Sequence, residues 1–183
     1  MLNNVQTALA AIKAEGTFAT VLICGSADLK IEVKGVGPIR FPVSAAMTAK
    51  LCSAARPAPF GRRDKTLHDS SVRDTWQLGR TQVKIDTPRW KHTLDAQLPT
   101  IKRCLGLPED GRLDAVFDKM LVYGPGQFFS PHQDSERADD MVGSLVVTLP
   151  SAYTGGDTIV EHQAEQKIFS GPKRGNKELS LLA

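Results

Sequence analysis

The segment "YGPGQFFSPHQDSE", residues 123–136, lies between two short apolar runs, "FDKMLVY" (117–123) and "GSLVVTLP" (143–150). Its glycines and prolines predict a turn-rich connection, and its two phenylalanines predict a buried edge. The segment ends in His132-x-Asp134. At the end of a strand, this spacing places both side chains on one face, because strand side chains alternate with period two.

The second half of the chain alternates short apolar runs with turns from about residue 115. The runs are "FDKMLVY", "GSLVVTLP", "DTIVEH", "QKIF" and "ELSLLA", and "YTGGD" (153–157) is a turn. The stretch "LVVTL" is apolar on both faces apart from its threonine, which predicts a strand in the middle of a sheet stack. Many short strands packed against helices predict an α+β, mainly β fold with a barrel or jelly-roll core.

Patterns in the first half of the sequence predict the helices and strands that support this core. Apolar residues at helical spacing predict a helix before Gly16, "FATVLIC" (18–24) predicts a strand, and apolar alternation around "KGVGP" (34–38) predicts a hairpin. Residues 44–55 have a helical pattern with Ser44 as N-cap. Residues 56–71 carry two prolines, a glycine and mixed charges, which predict a long loop.

A second long helix begins at Thr87-Pro88, with Thr87 predicted as the N-cap and Pro88 in the first turn. Pro99 interrupts its apolar stripe, so we expect a kink or two short helices. The stripe comprises Trp90, Leu94, Leu98, Ile101 and Leu105.

The length of 183 residues predicts one domain. Within it, residues 1–114 are expected to form the N-terminal hairpin and supporting helices, and residues 115–183 part of the core.

Composition excludes several classes of protein. A net charge of +3 with scattered basic residues does not indicate a nucleic-acid partner. No run of eighteen apolar residues indicates a membrane span, and the N-terminus lacks the pattern of a signal peptide. The three cysteines have no C-x-x-C spacing, so neither a disulfide framework nor a cysteine zinc site is indicated. We therefore expect a cytoplasmic protein.

The His132-x-Asp134 pair supplies two kinds of ligand found in the 2-His-1-carboxylate facial triad, which leaves positions on iron open for cosubstrate and oxygen. The spacing alone is weak evidence, because H-x-D occurs by chance in many proteins. The alternative is a polar loop end.

The surroundings of the pair carry a family resemblance. "YGPGQFFSPHQD", followed by "GSLVVTLP" and "YTGGD", resembles the iron(II)- and 2-oxoglutarate-dependent dioxygenases of the prolyl 4-hydroxylase type. The upstream "PFGRRDKTLHDSSVRDTWQL" (59–78) is similar to the region that precedes the core in some microbial and fungal members. The resemblance covers about residues 55–183, and 123–157 is its specific part.

The resemblance implies a double-stranded β-helix with Fe(II) between its sheets, and hydroxylation coupled to decarboxylation of 2-oxoglutarate, with ascorbate as a candidate reductant. It assigns His132 and Asp134 as metal ligands and catalytic residues. It places Tyr123 and Thr148 in the cosubstrate pocket, and Phe129 where prolyl hydroxylases often carry a tyrosine.

These assignments have structural alternatives. Tyr123 could close a strand with its ring in the core, and Thr148 could be a β-former whose hydroxyl meets a backbone carbonyl. Arg73, with Asp74 and Trp76, could belong to a substrate-facing loop; a surface ion pair beside a half-buried tryptophan is the favoured reading.

The family pattern also requires a second histidine and then a basic residue that anchors 2-oxoglutarate, two strands beyond "KELSLLA" (177–183). Neither follows that run. The remaining histidines are His68, His92 and His162, which do not match the position. We therefore expect a truncated jelly roll with little or no turnover, and self-association through unpaired strand edges.

Two other classes remain open. One is a non-catalytic binding or scaffolding module that keeps the β-helix shell, and the other is a cupin-like metal protein that uses no 2-oxoglutarate. The hydroxylation substrate could be a protein side chain or a small molecule.

Overall fold

The architecture is seen in a computed structural model, which describes residues 16–62, 65–171 and 177–183. The predicted helix before Gly16 lies outside these residues. Helix α1 spans Ala45–Ala54 and helix α2 spans Thr87–Cys104. The strands are β1 (Val21–Gly25), β2 (Ile31–Val33), β3 (Gly37–Pro38), β4 (Arg56–Pro57), β5 (Phe60–Arg62), β6 (Lys65–Leu67), β7 (Arg73–Asp74), β8 (Trp76–Gly79), β9 (Val83–Ile85), β10 (Lys119–Val122), β11 (Phe128–Phe129), β12 (Val146–Thr148), β13 (Thr158–His162), β14 (Glu165–Phe169) and β15 (Glu178–Leu182).

These elements confirm an α+β, mainly β chain. The described strands pair in small antiparallel sheets of two or three strands, in the orders β1-β15-β12, β10-β8-β4, β3-β2-β9, β11-β7, β13-β14 and β5-β6. The predicted hairpin is confirmed as β2 and β3, which join at Glu32↔Pro38 and Val33↔Gly37.

Strand β15 lies at the centre of its sheet, between β1 and β12. Leu179 and Leu181 have no solvent exposure. The prediction that "LVVTL" lies in the middle of a sheet stack is wrong: Val146 is 47% exposed, and β12 lies at the edge of this sheet. The apolar run could not reveal this, because position in a sheet depends on which strands pair from elsewhere in the chain.

Helix α1 begins as predicted. Ser44 is its N-cap, and the hydroxyl oxygen accepts a hydrogen bond from the Met47 backbone N–H at 3.2 Å. This bond satisfies one of the free amides of the first turn.

Helix α2 differs from its prediction in two ways. Asp86, and not Thr87, is the N-cap residue, and the Thr87 hydroxyl instead donates to the Ile85 carbonyl. The helix also continues through Pro99 without dividing in two. The apolar stripe explains its continuity, because burial of Trp90, Leu94, Leu98 and Ile101 offsets the hydrogen bond that proline removes.

The long loop predicted at 56–71 is wrong in part. This stretch contains β4, which pairs with β8, and β5 and β6, which pair with each other. Each strand is two or three residues long, so the local sequence carries little alternation by which to recognise it.

Two pairings bring distant parts of the chain to the His132 region. Strand β8 pairs with β10, and β7 pairs with β11 in the register Arg73↔Phe129 and Asp74↔Phe128. The Ser130 backbone N–H then donates to the Val72 carbonyl at 2.9 Å. Arg73 is thereby held directly opposite the start of the His132 segment.

Neither helix within the described ranges combines the length and the hydropathy needed to cross a lipid bilayer.

We expect Leu181→Ala to lower the free energy of unfolding by about 2–5 kcal/mol, because it leaves a cavity in a strand buried on both faces. Urea titration followed by circular dichroism measures the loss. The matched control is Ile23→Ala on the neighbouring strand β1, where the side chain is 52% exposed and the expected cost is about 1 kcal/mol or less. Equal losses in the two variants would contradict the central position of β15.

Candidate functional site

His132 and Asp134 lie in an irregular segment after β11, not on a strand as the sequence predicts. Their side chains nevertheless face each other, with His132 Nε2 at 3.5 Å from Asp134 Oδ1. Both side chains are partly exposed to solvent. The pair is therefore open to a small ligand or ion.

A hydrogen bond on the far side orients each member of the pair. The Nδ1 atom of His132 lies 2.9 Å from the Ser130 carbonyl oxygen, which fits an Nδ1–H donor and leaves the Nε2 lone pair free in the neutral ring. Asp134 Oδ2 accepts from the Ser144 hydroxyl at 2.5 Å. The two atoms that remain, Nε2 and Oδ1, point toward each other.

An aromatic ring separates this pair from a buried cation. The His132 imidazole stacks on Phe129 with ring centroids 3.5 Å apart, and the Arg73 guanidinium carbon lies 4.2 Å from the same Phe129 centroid. Two groups at such distances cannot share one face of a ring. Arg73 and His132 therefore lie on opposite faces of Phe129, and the cation–π contact and the stack together fix its position.

Arg73 is a buried residue, only 8% exposed, so the reading of a surface ion pair is wrong. Its Nη1 donates to the Pro59 carbonyl at 2.7 Å, while its buried Nε has no hydrogen-bond partner. Tyr123, which follows β10, is 45% exposed, and its hydroxyl interacts with the Arg73 guanidinium.

The local sequence contained no signal for this burial. Arg73, Thr75 and Gln77 alternate along β7 and β8, and all three are buried although they are polar. The Thr75 hydroxyl donates to the Val122 carbonyl at 2.9 Å, which satisfies a polar group on the inward face. Because inward-facing side chains are expected to be apolar, the sequence favoured a surface position for Arg73 over a substrate-facing one.

The electrostatics of the pair follow from its hydrogen bonds. The contact with Asp134 raises the pKa of His132, against an opposing effect of partial burial. The contact with His132, and then the Ser144 hydroxyl, hold the pKa of Asp134 well below its usual range. Burial lowers the pKa of Arg73.

The remaining predicted residues lie apart from the pair. Thr148 is on β12, opposite Ser180 of β15, and no hydrogen bond or ion pair joins it to His132 or Asp134 in the part of the chain that the structure describes. The His162 ring lies against Phe18, with centroids 5.5 Å apart. His92 lies on helix α2 and is exposed.

A third metal ligand is not assembled by the described residues. Within 16–62, 65–171 and 177–183, no three histidine, cysteine or acidic side chains converge as a metal-binding group. The pair itself fits an ion: bonds of about 2.1 Å to a nitrogen and to an oxygen together span more than the 3.5 Å between Nε2 and Oδ1. The separation of the two atoms is therefore compatible with one ion bound by both side chains.

Comparisons with protein-family models, curated proteins and solved structures find no match to this chain. The family resemblance therefore rests on the sequence motif alone.

The pH dependence of the pair is a direct test of its geometry. We expect the metal-free protein to show a pKa for His132 above 6.5, which falls toward the ordinary value in Asp134→Asn because the anionic partner is lost. An NMR titration of the His132 ring protons measures both values. A His132 pKa that Asp134→Asn leaves unchanged would contradict the contact.

The same shifts define a window of stability. Because the pKa of His132 is raised in the folded state, its contribution to stability is complete below about pH 6.5 and is lost as pH rises through the pKa of the folded protein. Because the pKa of Asp134 is lowered in the folded state, its contribution is complete above about pH 4 and is lost as pH falls through the pKa of the folded protein. The pair therefore contributes most between about pH 4 and 6.5. Asp134→Asn is expected to flatten this part of the pH profile of the unfolding free energy.

Proposed function

We propose that this chain carries the site of an Fe(II)- and 2-oxoglutarate-dependent dioxygenase, with His132 and Asp134 as metal ligands. The observation that carries the proposal is the opposed pair of Nε2 and Oδ1, 3.5 Å apart, with each side chain oriented by a hydrogen bond on its other side. We further propose that the small antiparallel sheets are parts of a jelly-roll core.

The surrounding residues support a role in metal binding. The Ser130 carbonyl selects the tautomer in which Nε2 can ligate, as partners of metal-bound histidines commonly do. The Asp134 carboxylate is ionised at neutral pH, which is the form that binds a cation. The stack with Phe129 restricts rotation of the imidazole, so less conformational entropy is lost on binding.

When bound, Fe(II) with 2-oxoglutarate and oxygen supplies the oxidising power for hydroxylation. The chain's own residues hold the ion through His132 and Asp134 and, by the family pattern, place Tyr123 and Thr148 along the cosubstrate pocket. Two protein ligands hold a divalent ion less firmly than three. We therefore propose weak metal binding and impaired turnover for the 183-residue chain.

A second candidate is a non-catalytic binding or scaffolding module that retains the β shell. The absence of a third ligand among the described residues favours it. The hydrogen bonds that orient His132 and Asp134 favour the dioxygenase instead, because a module that binds no metal does not require the bonds to Ser130 and Ser144.

An anaerobic titration with Fe(II) and 2-oxoglutarate tests the proposal. We expect a visible charge-transfer absorption that saturates with metal and disappears in His132→Ala. The matched control is His92→Ala, which removes an exposed imidazole from helix α2 and is expected to leave the absorption unchanged.

The other outcomes are equally informative. No absorption in the parent chain would favour the binding module, and absorption that persists in His132→Ala would show that the ligand assignment is wrong. Robust succinate formation by the parent chain, abolished in His132→Ala, would confirm the dioxygenase and contradict impaired turnover.

A further inference from the structure

A cavity of about 250 Å³ lies on the Arg73 side of the site. Its walls come from β4, the segment after β6, and the β7–β8 stretch. They include Pro57, His68, Asp69, Arg73, Asp74 and Trp76. The cavity is smaller than the range of about 300–1,000 Å³ that holds drug-sized ligands, so it suits a ligand of a few carbon atoms.

Of the charged side chains whose burial the structure describes, Arg73 alone is buried. A buried charge normally has an ionic partner, because desolvation of an unpaired ion is costly. No carboxylate in the described part of the chain lies within 4.0 Å of the guanidinium nitrogens. The polar partners of Arg73 are the Pro59 carbonyl and the Tyr123 hydroxyl, and neither is an anion at neutral pH.

The two acidic residues of the cavity wall already have other partners. Asp69 accepts from the backbone N–H and the hydroxyl of Ser71, at 2.9 and 2.6 Å, and it is fully exposed to screening by solvent. Asp74 accepts from Gln127 Nε2 at 2.8 Å. The charge of Arg73 is less screened than that of Asp69, because Arg73 is buried and Asp69 is exposed.

We propose that this cavity binds a small organic carboxylate, with Arg73 as its ionic partner. The ligand would be the ionic partner that Arg73 lacks within 4.0 Å, and charge-assisted hydrogen bonds to the guanidinium would hold it. Phe129 separates this position from His132, so the carboxylate would lie across one aromatic ring from the proposed metal ligands. The proposal goes beyond the dioxygenase assignment and does not require a metal.

Isothermal titration calorimetry of the metal-free protein with succinate tests this proposal. The titration is made at constant ionic strength with a chelator present. Succinamide, the neutral diamide of similar shape, controls for binding without charge. We expect saturable binding of succinate alone. Arg73→Gln should weaken it about tenfold or more, since charge-assisted hydrogen bonds are lost. Arg89→Gln, at an exposed position of helix α2, should leave it unchanged.

Two further variants keep the outcome decisive. Ser70→Trp places a large ring at an exposed position of the cavity wall without altering Arg73, and we expect it to weaken succinate binding. This variant tests the cavity even if Arg73→Gln does not fold. His132→Ala removes the proposed metal ligand and should retain binding. Equal affinity for succinate and succinamide, no binding by the parent chain, or binding unaffected by Ser70→Trp would each overturn the proposal.

Discussion

The pairing of β7 with β11 is the constraint on which the site depends. Its register places Arg73 opposite Phe129, and the bond from Ser130 to Val72 extends that alignment by one residue. A slip of one residue would turn Arg73 to the other face of the ribbon, because strand side chains alternate. The stack of Arg73, Phe129 and His132 would then be lost.

The two faces of the Phe129 ring contact charged groups that differ in their exposure and in their partners. On one face, His132 and Asp134 form a partly exposed pair in which each side chain stabilises the ionised form of the other. On the opposite face, Arg73 is buried, and its polar partners are the Pro59 carbonyl and the Tyr123 hydroxyl. Burial disfavours its charge, as the lowered pKa shows. The proposed carboxylate ligand would compensate the buried positive charge of Arg73. It would be a different ligand from an ion bound by His132 and Asp134.

Local sequence patterns gave wrong predictions where strand pairing or packing determines the secondary structure. Within 56–71, β4 forms because β8 offers it a partner from outside the stretch, whereas β5 and β6 pair with each other. Helix α2 remains continuous through Pro99 because its apolar stripe is buried along its length. In both places, tertiary contacts outweigh local propensity.

Local sequence patterns predict the mainly β class, the helix capped by Ser44, the hairpin at "KGVGP" and the candidate pair His132-x-Asp134, because these depend on neighbours within a few residues. The central position of β15 and the burial of Arg73 are visible only in the folded chain. Both depend on contacts between residues far apart in the chain, and no local periodicity encodes which of these residues will meet.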